Sequence, residues 1–389
     1  MRRSFASLSC FVALLPLAAA LAAAACSADD SAGSGGRSDG GGAPATSSAT
    51  SASTSSGDQG GGSGEGGAGG GSAEAAWQTV LDQGDLDGAV LSVWGSAPED
   101  VYAVGGPLGN SGFESLIVHF DGTTWRRLHP GGAETYWWVG GSGAEDVWMV
   151  GEQGRITHWD GASFAEHDSG VGATLWGVWA ASPDDAWAVG GTPNGGSGTE
   201  GDIVLHWDGG AWTRETLPGA PLGRALFKVW GTGSDNLYVV GEKGTVWHRE
   251  GTTWGLEPSL TMARLFTVSG CGADEVYAVG GFNVLRSDGQ SFSKVEVMLT
   301  NTVNGVACGS SGSVALVGFG GLKERLVDGT WINEFTVEPF DDLHAAWAEG
   351  AGAFWAVGGD FSTGPVAGKR RKGVVARYGA GTVAGSISP

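Results

Sequence analysis

Basic residues are scarce in this 389-residue chain: 21 lysines and arginines stand against 42 aspartates and glutamates, a formal charge of −21. Such a field repels polyanions, which excludes nucleic acid and anionic membrane surfaces as expected partners. Charge of either sign is sparse, at 16% of residues, and no segment sustains an apolar period of 3.6 residues, so long helices are not expected. Cysteine is confined to Cys10, Cys26, Cys271 and Cys308. Beyond residue 77 there is no Gly-x-Ser-x-Gly elbow, no His-Glu-x-x-His zinc motif and no P-loop. The expectation is therefore a protein with no catalytic residues, no metal and no cofactor.

Glycine and tryptophan are abundant instead, with 73 and 18 copies. Leu91 to Gly106, LSVWGSAPEDVYAVGG, is the first of seven related copies. They align on Gly105, Gly151, Gly190, Gly241, Gly280, Gly318 and Gly358, and each of these glycines follows a valine. The spacing of roughly 40 residues is the length of a propeller blade. Each copy holds four strand-length segments, in the first Leu91 to Gly95, Val101 to Gly105, Leu116 to Phe120 and Trp125 to Leu128, separated by turn residues. An Asp-Gly pair between the third and fourth segments, as at Asp121-Gly122, Asp160-Gly161 and Asp208-Gly209, is a strong hairpin signal. The seventh copy lacks a fourth strand, whereas Trp77 to Val80 stands alone before the first. The fold expected is all-β: a seven-bladed β-propeller of four-stranded antiparallel blades over 77–382, the N-terminal strand closing the last blade, followed by a tail at 383–389.

Ahead of the repeats, residues 1–25 read as an export signal, with Arg2 and Arg3 before an apolar run too short to span a bilayer permanently. Ala23-Ala24-Ala25-Cys26 resembles the lipobox of bacterial lipoproteins, with Ala23 where leucine is usual; this implies lipid attachment at Cys26. An ordinary secretory signal cut among the alanines is the alternative. Residues 26–76 form a Gly/Ser/Ala-rich linker that cannot bury enough apolar surface to order itself. The expected location is outside the cytoplasm, anchored to the cell envelope, with the outer membrane or cell surface favoured over the inner membrane, and the protein is expected to be a monomer.

The Gly-Gly pairs after the second strand (Gly105-Gly106, Gly190-Gly191, Gly280-Gly281, Gly358-Gly359), the aromatic before Asp-Gly and the Trp after it resemble kelch repeats. Asp121 to Trp125 also looks like the Asp-box of sialidase-like propellers, one residue short and without its leading Ser. The sialidase Arg-Ile-Pro segment is missing, and Arg155-Ile156-Thr157 lies inside an ordinary third strand. The chain is similar to the exported propellers of myxobacterial type that carry a VWGSxPDDVYAVGG signature. This resemblance implies architecture rather than activity.

Four sets of residues are candidates for a site. His119, His158, His206 and His248, continued by Arg286 and Arg377 and interrupted by Leu326, form a column on third strands, too far apart to share a metal and expected to bond within their own blades. Trp94, Trp179, Trp230 and Trp347 lie on the innermost strands, with Gly140, Ser269 and Ala307 in the other copies. They either pack between blades or line the channel mouth and face a ligand. Cys271 and Cys308, in consecutive blades, are either disulfide-bonded or free. Lys369, Arg370, Arg371 and Lys372 form a basic cluster on the face of the long loops, either ligand-facing or simply solvated. These features predict a membrane-anchored binding or scaffolding module for a protein or a glycan. A lectin or carbohydrate-active enzyme, or a structural part of a pilus or envelope assembly, are the alternatives.

Overall fold

The computed structural model describes residues 74–388 apart from 83, 196–198, 221, 310, 311 and 351. The export signal, Cys26 and nearly all of the linker lie outside the described residues. Seven antiparallel sheets follow one another along the chain. Blade one consists of Ala89–Ala97, Asp100–Gly106, Leu116–Phe120 and Trp125–Leu128, and the same four-strand pattern repeats over 136–167, 175–214, 226–256, 267–294 and 303–333. First strands of neighbouring blades touch all the way round, that of blade seven meeting that of blade one, so they line a central channel.

Blade seven takes three strands from the C-terminal side, Leu343–Ala348, Phe354–Gly359 and Gly373–Gly379, and its outer strand is Ala76–Leu81. Trp77 pairs with Tyr378 and Thr79 with Ala376. Both chain ends of the array thus share one sheet, which leaves no open edge between the first and last blades. The tail was expected to stand outside the propeller. Instead Ile387–Ser388 runs parallel to Trp125–Arg126 as a fifth strand on blade one, because Val383 and Ile387 have apolar surface to bury against the cluster between blades seven and one.

Side chains alternate across a strand, so each blade presents two apolar faces. The consequence is one hydrophobic cluster in each wedge between adjacent blades, plus one inside the channel. Val93 joins the wedge between blades seven and one, whereas its neighbour Trp94 joins the wedge between blades one and two. Second strands, packed on both faces, are buried nearly end to end, as in Asp146–Gly151.

The Asp-Gly turns close the third strands onto the fourth. Asp121 Oδ1 accepts from Thr123 Oγ1 and from the amides of Thr123 and Thr124 at 2.7, 3.0 and 2.8 Å, bonds that hold its carboxyl well below the usual carboxylate range. Asp160, Asp208 and Asp288 repeat the arrangement. Gly122 follows at φ +86°, with the Glu99 side chain so close that a Cβ would stand 2.7 Å from it. Blade six uses a two-residue turn, Asp328-Gly329, with Val327 paired to Thr330. That shortening shifts its third strand by one residue.

Candidate functional site

The histidine column is structural in every blade. His119 Nε2 lies 2.6 Å from Asp100, His158 2.8 Å from Asp146 and His206 2.9 Å from Asp185, while His248 bonds Asn236 at 2.8 Å. Each ring is stacked on an aromatic of the second strand, Tyr102, Trp148, Trp187 or Tyr238, with centroids 4.0 to 4.2 Å apart. Arg286 meets Glu275 and Arg377 meets Glu349 at the same place. Blade six does not interrupt the column at Leu326: the register pairs Ala315 with Arg325, and Arg325 forms a two-bond pair with Glu334. The shortened turn of that blade hid the match. Among the described residues no three His, Cys, Asp or Glu converge in a way that would hold a metal ion.

The channel is closed at one end and open at the other. Near the start of the innermost strands, Trp137, Trp176, Phe227 and Phe266 form a belt of rings, with Trp137 and Trp176 4.5 Å apart. Leu108 and Phe361, from the long loops of blades one and seven, are buried in the same cluster. Leu108 takes φ +50°, a left-handed conformation costly for leucine, and its amide donates to Thr135 Oγ1 at 2.9 Å. His344 completes the belt. Because a carbonyl only accepts, the 2.6 Å contact with the Leu91 oxygen places a proton on His344 Nδ1. Burial, and then the charge of Lys228, push its pKa down to about 3, so the ring is neutral. Lys228 Nζ donates to the Trp176 oxygen at 2.7 Å and stands 4.1 Å over the Trp138 ring.

At the other end the same strands open into a bowl of about 210 Å³ whose walls include Trp94, Trp138, Trp179, Trp230 and Trp347, all half-buried. Each ring of the tryptophan column packs on a wedge cluster and also lines this bowl. The room for the rings comes from the next blade. A Cβ on Gly95 would stand 2.8 Å from Trp347 Cη2, one on Gly141 would stand 3.0 Å from Trp94 Cη2, and one on Gly270 would run into the Trp230 ring. Gly231 holds the corresponding place after Trp179, whereas the small residues Gly140, Ser269 and Ala307 precede Ala180, Cys308 and Ala348. Tryptophan in one blade and glycine in the next therefore go together. The gaps at Ser269 and Ala307 widen the bowl over blades five and six. Trp138 was not picked out from sequence; its signal is the tryptophan two residues before the gap at Gly140.

Cys271 and Cys308 are joined by a disulfide with Cα atoms 5.0 Å apart, tying blade five to blade six, and Cys308 forms part of the bowl wall. The basic cluster is divided. Lys369, Arg370 and Lys372 are exposed, and Arg370 pairs with Asp87 at 2.5 Å. Arg371 is not ligand-facing: only 3% exposed, it donates to the carbonyls of Pro107, Leu108, Asp360 and Thr363 and so sews the two long loops over the closed end. That face also carries the exposed Met262, Phe282, Met298 and Phe340.

No protein-family model and no curated protein matches the chain. Solved structures do. YCF48 bound to a D1 peptide is similar at 16% identity over 78% of this chain and 96% of that one, with a TM-score of 0.57. Catalytically inactive virginiamycin B lyase from Staphylococcus aureus with quinupristin matches at 13% identity over 78% and 99%, TM-score 0.60. The WD40 β-propeller domain of Doa1 matches at 9% identity over 79% and 97%, TM-score 0.60. At these identities the likeness reaches the fold and no further, and on that ground the chain is a seven-bladed β-propeller of four-stranded antiparallel blades.

Proposed function

We propose that this propeller is a non-enzymatic binding module, exported and held to the cell envelope through Cys26 and the 26–76 linker, acting as a monomer through the tryptophan-lined bowl. The observation that carries the reading is the asymmetry of the channel: an aromatic belt and two buried loop residues fill one end, and the other end is an open, aromatic-walled cavity. A concave site walled by aromatic rings with polar groups among them is a common form of binding pocket. Among the structural neighbours, YCF48 is described with a bound peptide, which supports a protein partner for this fold. The Cys271–Cys308 bond fits an oxidising compartment, and the linker suits a domain held off a surface. A lectin is the second reading, favoured by the same rings, on which a sugar would stack.

Two experiments test the proposal. Replacing Cys26 by alanine is expected to release the protein from the membrane fraction; unchanged fractionation removes the anchor. Screening arrays of peptides and glycans with the native protein and with Trp179→Ala is expected to return ligands that the variant loses. Ligands retained by Trp179→Ala but lost on replacing Lys369, Arg370 and Lys372 by alanine move the site to the long-loop face.

A further inference from the structure

Resting on the reading of the bowl as the binding site, we infer that its occupant is a basic peptide segment: one apolar side chain enters the bowl while flanking lysines or arginines lie over its rim. A cavity of about 210 Å³ takes one large side chain rather than a folded domain. Its walls carry five indole rings, with Thr267, Ser269 and backbone edges between them, and the rings are surfaces that gain by removing another apolar group from water. The ring face of Trp138 towards the channel floor is already covered by the Lys228 ammonium, so a second cation is repelled from that depth. An apolar group is not.

The rim has the opposite character. The turns that continue from the innermost strands (96–100, 142–146, 181–185, 232–236, 271–275, 309–313 and 349–353) hold ten carboxylates, and the turns between third and fourth strands (121–124, 160–163, 208–211, 250–253, 288–291 and 328–329) hold six. Not one lysine or arginine occurs in any of them. Glu99, Glu145, Asp184, Asp235 and Asp274, one per blade from one to five, are exposed and form no ion pair with any other described residue. The basic residues of the connecting segments, among them Lys243, Arg264, Lys369, Arg370 and Lys372, all belong to the opposite face. An arc of five unpaired carboxylates over blades one to five, beside a concave aromatic-walled site, concentrates ligands of the opposite sign and steers their approach, whereas Arg126, Arg286 and Arg377 are already paired with Asp121, Glu275 and Glu349. A neutral glycan uses the rings but not this charge.

The test is calorimetric titration of the native protein with three short peptides: a phenylalanine flanked by lysines, the same with glycine at the centre, and the same phenylalanine flanked by glutamates. The lysine-phenylalanine peptide is expected to bind, with affinity falling about tenfold from low salt to about 0.5 M because exposed charges are screened. The other two are expected to bind at least about tenfold more weakly, and so is the first peptide to the rim variant Glu99→Gln/Glu145→Gln/Asp184→Asn. That variant changes only exposed turn residues, so it reads the inference even if Trp179→Ala does not fold. Equal binding of the glutamate peptide, no salt dependence, or no peptide binding tighter than about 1 mM overturns the basic-segment inference. If a glycan or neutral peptide then binds and Trp179→Ala abolishes it, the bowl stands as the site without the charge preference. If no ligand of any kind depends on Trp179, both readings fall.

Discussion

His344 and Arg371 are polar groups committed to keeping one end of the channel shut. His344 has a folded pKa of about 3 against an ordinary value near 6.5, so between these limits the unfolded chain binds a proton that the folded chain refuses. Its contribution to stability is fully present above about pH 6.5 and is lost as the pH falls towards 3. Urea unfolding between pH 7 and 4.5 is expected to show stability declining by a few kcal/mol, with a flatter slope in His344→Asn, which copies Asn304 at the same place in blade six. An unchanged slope would mean that the ring is accessible. Arg371→Ala leaves the buried Leu108 carbonyl without its donor, Pro107 keeping the Asn110 amide, and is expected to cost about 2 to 3 kcal/mol, measured by the shift in urea midpoint. Lys372→Ala, on an exposed side chain, is expected to change stability by less than about 0.5 kcal/mol.

At the scale of strands and turns, the repeated unit was legible because its signals are local. Valine before glycine, Asp-Gly turns and the stray strand at Trp77 all recur at fixed offsets, and the sheets follow them. Features that depend on contacts between copies were not. Nothing in Leu108 or Phe361 marks them as channel residues, since loops carry no periodicity. The charge of Lys369 to Lys372 gave no hint that Arg371 turns inward. Arg325 was missed, and Leu326 reads as an interruption of the column, because a two-residue turn shifts that strand by one. The pairing of tryptophan with glycine in the next blade was present in the sequence, but only by comparing one column with its neighbour across successive copies. It can be measured directly at Gly270, where the three atoms nearest to an added Cβ all belong to the Trp230 ring. Gly270→Ala is expected to destabilise by about 2 kcal/mol, and in the background of Trp230→Ala by much less, giving a coupling energy of about 1 to 2 kcal/mol in a double-mutant cycle. Additive effects would mean that the ring does not depend on that glycine.

The whole molecule is polarised. One face combines the open bowl with turns that carry carboxylates and no basic residue; the other combines a sealed channel, the exposed Lys369, Arg370 and Lys372 and apolar side chains such as Phe282 and Met298. Sevenfold repetition builds the scaffold, and departures from it give the bowl its shape: Gly140, Ser269 and Ala307 where other blades have tryptophan, and a disulfide in the widened wall. The central claim is that binding occurs on the bowl face. Hydroxyl-radical footprinting of the protein with and without a ligand returned by the arrays tests it most directly, because tryptophan and methionine report from opposite faces. Protection of Trp94, Trp138, Trp179, Trp230 and Trp347 is expected, with Met262 and Met298 unchanged. Protection of Met262, Met298 and the 360–372 loop, with the five tryptophans as reactive as before, would contradict the claim.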